Sequence, residues 1–171
     1  MDLIQKIDNL EKERSKLFDD LKSLSGEKLN LQIKGEWSIN QHLYHTWLVE
    51  TTTESYIKTK TKYPDFLVQM SPIAHLKTFI LKLFLNLGFK FKAPKIVNTF
   101  PEKIDLNELN QNWALSRKSF KKLIEELNNK NLSNLAITRH PLLGRINMHL
   151  TLVFFDFHFK HHQNAIIKLK K

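Results

Sequence analysis

Cysteine is absent from this chain. Disulfide bridges, thiolate metal sites and a cysteine nucleophile are therefore excluded, and the absence fits a reducing compartment. Turn-forming residues are also scarce, with 4 glycines and 5 prolines among 171 residues. So few of them leave little room for the many turns of an all-β fold. The length predicts one domain, residues 1–171, that is large enough to bury a core.

A long hydrophobic run is missing as well. The longest apolar stretch, residues 79–91, is interrupted by polar side chains and is too short to span a bilayer. The first eight residues are charged and periodic, unlike a signal or transit peptide. We therefore expect a cytoplasmic protein without a stable membrane association.

Positive charge is in excess, since 27 Lys and Arg against 17 Asp and Glu give a formal net charge of +10. Such an excess raises the question of nucleic acid. The basic residues, mostly lysine, are scattered along the chain among acidic ones, which is typical of a solvated surface. We expect no nucleic-acid partner. A basic protein that binds nucleic acid or anionic lipid, with histidines that merely pack, is kept as an alternative.

Apolar periodicity predicts four long helices. They cover residues 3–24, 38–60, 105–128 and 147–170. Gly26 is expected to end the first helix, and the run Ser38-Ile39-Asn40-Gln41 matches a capping box that begins the second. The last follows a turn at His140-Pro141-Leu142-Leu143-Gly144.

Residues 71–102 form a long connection between the second and third helices. Its first half predicts a short amphipathic helix, and its second half, from Phe89 to Pro94, an irregular arm. Lysines interleave with apolar residues here, as in a helix that lies on a membrane surface. We favour the other interpretation, a crossover that packs its apolar face on the bundle, because long crossovers are common in helical bundles.

Two histidines of the last helix, His158 and His162, are four residues apart and share one face. That face also carries apolar and small residues, namely Thr151, Phe155, Ala165 and Leu169. A buried ring nitrogen without a partner is costly, and two imidazoles on adjacent turns can bind a divalent metal. A pair of hydrogen-bonded core histidines is an equally good interpretation of these two residues alone.

The second helix offers a third histidine, either His42 or His45. Both lie toward a side of the helix that has few charged residues, and their spacing does not choose between them. Glu50 is a candidate base or hydrogen-bond partner of a ligand, with a surface or inter-helix role as the alternative. Arg117 could hold an anionic substrate, although neighbouring lysines favour a solvated face. His140, before a proline, is expected to shape its turn.

An ordered set of motifs resembles the DinB/YfiT-like superfamily of bacterial metal-binding four-helix bundles. The set is Trp37-Ser38-Ile39, His45, His140-Pro141 with Gly144, and His158-Phe159-Lys160-His161-His162-Gln163 followed by Ile166. In that family a tryptophan-serine helix start precedes the first metal histidine by eight residues, which leads from Trp37 to His45. The resemblance spans nearly the whole chain. It implies the metal ligands His45, His158 and His162, with His161 turned away.

The resemblance also implies an all-α four-helix bundle in up-down-down-up order, with the long crossover between helices 2 and 3. Known members bind nickel, zinc or similar divalent ions; several are thiol-dependent transferases, and others are assigned as hydrolases. Members often pair, so we expect a homodimer. Its apolar exterior would include Trp47, Leu48, Trp113 and the face of residues 79–87.

Three neutral imidazoles would leave the ion at least one open position, as in catalytic sites. All-nitrogen ligation favours zinc or nickel, with iron and manganese as alternatives, over magnesium and calcium. We expect a metal-dependent thiol S-transferase or hydrolase, which activates a low-molecular-weight thiol or water against a small electrophilic substrate. Thiol transfer is slightly favoured because Lys90, Lys92 and Lys95 could anchor an acidic cosubstrate. The alternative is a metal-binding bundle without turnover that acts through protein contacts.

Overall fold

The computed structural model describes residues 2–33, 35–89 and 91–171, which are mostly helical. Its α-helices are α1 (Leu3–Leu21), α2 (Gly26–Asn30), α3 (Ile39–Lys60), α4 (Ile73–Asn86), α5 (Leu106–Asn129) and α6 (Met148–Lys170). Two short strands, β1 (Thr138–His140) and β2 (Gly144–Ile146), precede α6. Short 3₁₀ turns lie at Pro64–Phe66 and Lys95–Val97. The four predicted long helices and the predicted short helix of the connection are thus present. Helix α2 and the two strands were not predicted from the sequence.

Local capping explains where the helices begin. Ser38 accepts a hydrogen bond from the Gln41 backbone N–H at 3.2 Å, and its own N–H donates to the Gln41 side chain at 3.0 Å, so the predicted capping box is confirmed. Asp105 and Asn147 cap α5 and α6 in a similar way. The prediction for Gly26 is wrong, because it is the first residue of α2 and does not end α1.

The four long helices pack around a shared core. Helix α1 contacts α5 and α6, and α3 contacts the same two helices. One end of the core is built around Trp113, whose ring meets Phe18 of α1 and Phe159 of α6 edge-on at 5.9 and 6.2 Å. Trp113 is fully buried. It therefore offers no exterior surface for a second subunit, contrary to the expectation from the sequence.

Helix α4 lies in the long connection and packs on α6. Its buried side chains are small or aliphatic: Ala74, Thr78, Leu81 and Leu85. Most of its large apolar side chains, including Phe79 at 66% exposure, face solvent. The expectation that the apolar face of the connection packs on the bundle is therefore wrong for most of that face. Within the described residues, no helix has the length and apolar character needed to cross a membrane.

The antiparallel hairpin of β1 and β2 sits immediately before α6. Thr138 pairs with Ile146, and His140 pairs with Gly144. Gly144 has a φ of 79°, a conformation that favours glycine. Nδ1 of His140 accepts hydrogen bonds from the backbone N–H groups of Leu142 and Leu143, both at 3.2 Å. The expected role of His140 in shaping this turn is confirmed.

Candidate metal centre

Three histidines from two helices converge on one point. His45 lies on α3, and His158 and His162 lie one turn apart on α6. The Nε2 atom of His158 is 3.3 Å from Nε2 of His45 and 3.1 Å from Nε2 of His162. One ring nitrogen from each residue lies within 4.8 Å of the others. These are the three residues that the resemblance implied, and together they could hold a metal ion.

The separations between these nitrogen atoms suit a small divalent cation. Zinc binds imidazole nitrogen at about 2.0–2.1 Å, so a tetrahedral ion holds two such ligands about 3.3 Å apart. The separations of 3.3 and 3.1 Å at His158 match this geometry. Three imidazole nitrogen donors are typical ligands of a late first-row transition metal or zinc. The residues present therefore fit a divalent ion.

Burial keeps these imidazoles neutral. The exposed fractions of His45, His158 and His162 are 4%, 9% and 7%. Loss of water lowers the pKa of all three rings below the ordinary value, strongly so for the two on α6, where the neighbouring histidines add to the effect. Only a neutral imidazole has a lone pair for a metal. At neutral pH the cluster is thus in the protonation state that metal binding requires.

A backbone carbonyl orients the ring of His45. Nδ1 of His45 donates a hydrogen bond to the carbonyl oxygen of Val97 at 2.7 Å. This bond places the proton of the neutral ring on Nδ1 and leaves the Nε2 lone pair directed at the centre. Val97 belongs to the 3₁₀ turn Lys95–Val97 in the long connection. The connection therefore positions a candidate ligand, a role that no side-chain pattern in the sequence could show.

His42 lies behind the cluster, beside His162. Their Nδ1 atoms are 2.9 Å apart. An ion bound at Nε2 of His162 would leave the proton of that ring on Nδ1, with Nδ1 of His42 as the acceptor. The spacing of His42 and His45 in the sequence left two candidates for the third ligand. The structure brings His45 into the cluster with His158 and His162 and places His42 at hydrogen-bond distance from His162.

Aromatic side chains surround the histidines. The ring of Trp37 lies 4.8 Å from that of His45 and is stacked on that of His162 at 5.9 Å. Phe154 stacks on His158 at 5.0 Å. Such walls exclude water and strengthen electrostatic interactions at the centre. The tryptophan that marks the helix start in the sequence motif is therefore also part of the wall of the site.

His161 of α6 and His140 lie outside the cluster. Nδ1 of His161 donates to the carbonyl oxygen of Leu85 on α4 at 3.1 Å, so this ring faces α4 rather than the centre. His140 packs its ring on Phe154 at 4.4 Å, and burial lowers its pKa to about 4. The implied orientation of His161, turned away from the ligands, agrees with these contacts.

The charged candidates Glu50 and Arg117 pair with each other. The Arg117 guanidinium donates two hydrogen bonds to the Glu50 carboxylate, each 2.7 Å long, and Trp113 donates a third at 2.8 Å. Both side chains are buried, with 4% and 3% exposed. The prediction that Arg117 lies on a solvated face is therefore wrong. For Glu50, the structure shows the alternative role, a contact between helices. The pair joins α3 to α5.

The lysines proposed as anchors lie along the arm that follows α4. Lys92 and Lys95 are exposed, and Lys95 begins the 3₁₀ turn that holds His45 through Val97. Lys90 lies outside the described residues.

Comparison with known proteins gives no match to a protein-family model, to a curated protein or to a solved structure. Membership of the DinB-like superfamily therefore stays a prediction. It rests on the ordered sequence motif.

Proposed function

We propose that this chain is a metal-dependent enzyme whose mononuclear centre is held by His45, His158 and His162. The observation that carries the proposal is the convergence of three buried Nε2 atoms at spacings that suit one ion. A centre with three protein ligands has an open position for substrate, as in catalytic rather than structural metal sites. Zinc and nickel are the preferred ions, with iron and manganese as alternatives.

The fold proposed with this function is a DinB-like four-helix bundle. Helices α1, α3, α5 and α6 would be its four members, in up-down-down-up order, and α4 with the arm after it would be the crossover between the second and third. The contacts of α1 and α3 with both α5 and α6 support this arrangement. The position of the three histidines on the second and fourth long helices is the one that the resemblance implies.

The proposed reaction is transfer of a low-molecular-weight thiol to a small electrophile, with hydrolysis as the alternative. In the transfer the thiol gives its proton to solvent, its sulfur bonds to the electrophilic carbon, and a leaving group such as chloride departs with the electrons of its bond to that carbon. The bound ion would supply Lewis acidity that lowers the pKa of a thiol or a water molecule. Around it, Val97 fixes the ring of His45, and the aromatic side chains limit access of bulk water. Lys92 and Lys95 offer positive charge for the carboxylates of an acidic thiol cosubstrate. This last feature favours transfer over hydrolysis, which needs no such anchors.

Metal analysis of the purified protein tests the centre. We expect about one divalent ion per chain, near-complete loss in His158→Ala and His162→Ala, and a strong reduction in His45→Ala. The matched control is His161→Ala, which removes an adjacent imidazole that bonds to Leu85 and should retain the ion. Equal metal content in His161→Ala and His162→Ala, both checked for folding, would contradict the proposed ligand set.

The reaction class is tested by giving the metal-loaded protein a chlorinated nitroarene and a panel of cellular thiols. Metal-dependent conjugation that is lost in His162→Ala supports transfer. Replacement of both Lys92 and Lys95 by alanine should raise the KM for an acidic thiol while leaving kcat nearly unchanged. Ester or amide hydrolysis without thiol transfer would favour the hydrolase, and stoichiometric metal without turnover would favour the metal-binding bundle that acts through protein contacts.

We also propose a homodimer. Leu115 of α5 is 62% exposed, and Trp47 and Leu48 of α3 are partly buried. These side chains supply apolar surface that pairing could cover. A monomer mass by light scattering at micromolar concentration would contradict this assembly.

A further inference from the structure

Helix α4 turns its bulkiest side chains away from the protein. Its buried side, which packs on α6, consists of Ala74, Thr78, Leu81 and Leu85. The solvent side carries large apolar side chains that are all exposed: Ile73, Leu76, Phe79, Ile80, Leu83 and Phe84, followed by Leu87 just after the last residue of the helix. At about 100° per residue, the centre of this second set lies roughly opposite the first. A helix that served only the core would carry its large apolar residues on the buried side.

The apolar surface continues beyond the end of α4. Phe89 and Phe91 are 53% and 47% exposed, and both rings pack edge-on against Phe84 at 5.1 and 6.5 Å. Isolated exposed apolar residues are ordinary, whereas a continuous patch marks an interaction surface. We call this surface, formed by the solvent side of α4 with Phe89 and Phe91, the α4 face.

Positive charge borders the α4 face. Around the axis of α4, Lys77 and Lys82 lie on the two opposite flanks of the exposed apolar side. Each lysine separates that side from the side that packs on α6. The sequence from residue 66 to residue 101 contains five lysines and no aspartate or glutamate. The lysines are therefore not scattered among acidic residues in this part of the chain, in contrast to the rest.

We propose that the α4 face binds reversibly to the surface of membranes that contain anionic lipids. An apolar helix face flanked by lysines is the arrangement of helices that lie in the plane of the bilayer interface. The apolar side chains would enter the boundary between headgroups and acyl chains, and the lysine stems would extend back to the phosphates. Because α4 does not meet the requirements for a membrane-spanning helix, this is peripheral binding.

Charge disfavours a second copy of the chain as the occupant of this face. In a symmetric pair the same patch meets itself. Lys77 and Lys82 of one copy would then approach those of the other, and residues 66–101 supply no acidic residue to compensate them. Glu13 and Asp156 line a surface cavity with Lys82, but three further lysines line it too, so its surroundings keep an excess of positive charge. A surface of lipid phosphates supplies the missing negative charge, so charge complementarity selects an anionic membrane.

Vesicle flotation with the full, metal-loaded chain tests the proposal. We expect binding to vesicles of phosphatidylcholine with phosphatidylglycerol, little binding to phosphatidylcholine alone, and weaker binding at high salt. The double variant Phe79→Ser, Leu83→Ser should abolish binding. The double variant Lys77→Glu, Lys82→Glu should weaken it at least about tenfold. All four side chains are exposed, so both variants should fold, which circular dichroism checks.

Matched controls remove similar groups elsewhere. Ile167→Ser takes an apolar side chain that is 48% exposed from the last turns of α6, and Lys118→Glu reverses an exposed charge on α5. Both should bind vesicles like the wild type. Absence of vesicle binding, equal binding to neutral vesicles, or equal losses in the control variants would overturn the proposal. A dimer by light scattering that only Phe79→Ser, Leu83→Ser dissociates, without vesicle binding, would assign the α4 face to a second copy instead.

Discussion

At the scale of single residues, the centre depends on which ring nitrogen of each histidine carries the proton. Nδ1 of His45 donates a hydrogen bond to the carbonyl oxygen of Val97, which leaves Nε2 free for the centre. With an ion on Nε2 of His162, Nδ1 of His162 would donate to His42 in the same way. The sequence could identify the helix face but not choose between His42 and His45. Positions three apart differ by only about 60° around a helix axis, and the choice depends on how far α3 rotates in the packed structure.

His42→Ala should weaken metal binding about tenfold or more without abolishing it. The substitution removes the acceptor that holds the Nδ1 proton of His162, and loss of such a partner commonly costs ten- to a hundredfold in metal affinity. The affinity is measured by competition with a chromophoric chelator. His42→Gln, which keeps an acceptor, is the matched control and should lie closer to the wild type. If His42→Ala lost the ion entirely while His45→Ala retained it, the ligand assignment would be wrong.

The buried pair of Glu50 and Arg117 predicts a stability effect. Glu50→Gln removes the charge that compensates the Arg117 guanidinium, whose Nη1 atom already lacks a described hydrogen-bond partner. Breaking a buried ion pair in this way typically costs about 3–5 kcal/mol in the free energy of unfolding. Urea unfolding measures it.

The control for that experiment removes both charges. The double variant Glu50→Leu, Arg117→Met should lose much less free energy of unfolding than the sum of the losses in Glu50→Leu alone and Arg117→Met alone. The double variant leaves no isolated charge in the interior, whereas each single variant does. A cost below about 1 kcal/mol for Glu50→Gln alone would show that water reaches the guanidinium. The metal content of the folded variants should stay near that of the wild type, since the pair joins α3 to α5.

At the scale of elements, the starts of all four long helices were predictable from the sequence, whereas the short elements α2, β1 and β2 were not. Ser38, Asp105 and Asn147 cap their helices through contacts within three residues, and such local signals are readable in a sequence. The hairpin before α6 was missed because strands of three residues are too short to show alternation. The pair Ser25-Gly26 predicts the end of α1, but in the structure Ser25 caps the start of the short helix α2.

Ser38→Ala should destabilise the protein by about 1 kcal/mol, because it removes the acceptor for the Gln41 N–H at the start of α3. For a chain of this size the expected fall in Tm is roughly 2–4 °C. Ser38→Asp, which keeps a capping oxygen, is the conservative control, and its Tm should lie closer to that of the wild type than the Tm of Ser38→Ala does. A full loss in Ser38→Asp would mean that burial of the serine, rather than its cap, sets the cost.

At the scale of the whole molecule, the orientation of α4 could not be predicted from the sequence. Apolar residues occur on both its sides, so periodicity alone does not say whether the phenylalanine side or the alanine side packs on the bundle. The carbonyl of Leu85 bonds to His161 of α6, and this contact joins the alanine side to the protein. The net charge was readable from composition, but its relation to the exposed apolar face required the packed helix.

Buried histidines also make the stability of the whole molecule depend on pH. Burial lowers the pKa of His140 from 6.5 to about 4 in the folded protein. It lowers the pKa of the three clustered histidines as well. When the pH falls below about 6.5, these rings take up protons in the unfolded chain but remain neutral in the folded one. The unfolded state then binds more protons, so the stability present above about pH 6.5 is lost on acidification.

We therefore expect the free energy of unfolding of the metal-free protein, measured in urea, to be lower at about pH 5 than at about pH 7.5. His140 alone should contribute up to about 3 kcal/mol across its window from 6.5 to about 4. His140→Asn, whose side-chain oxygen can still accept from the turn, should lose that share and show a shallower pH dependence. Identical pH slopes for His140→Asn and the wild type would contradict the assignment of His140 as a partly buried ring that stays neutral in the folded protein.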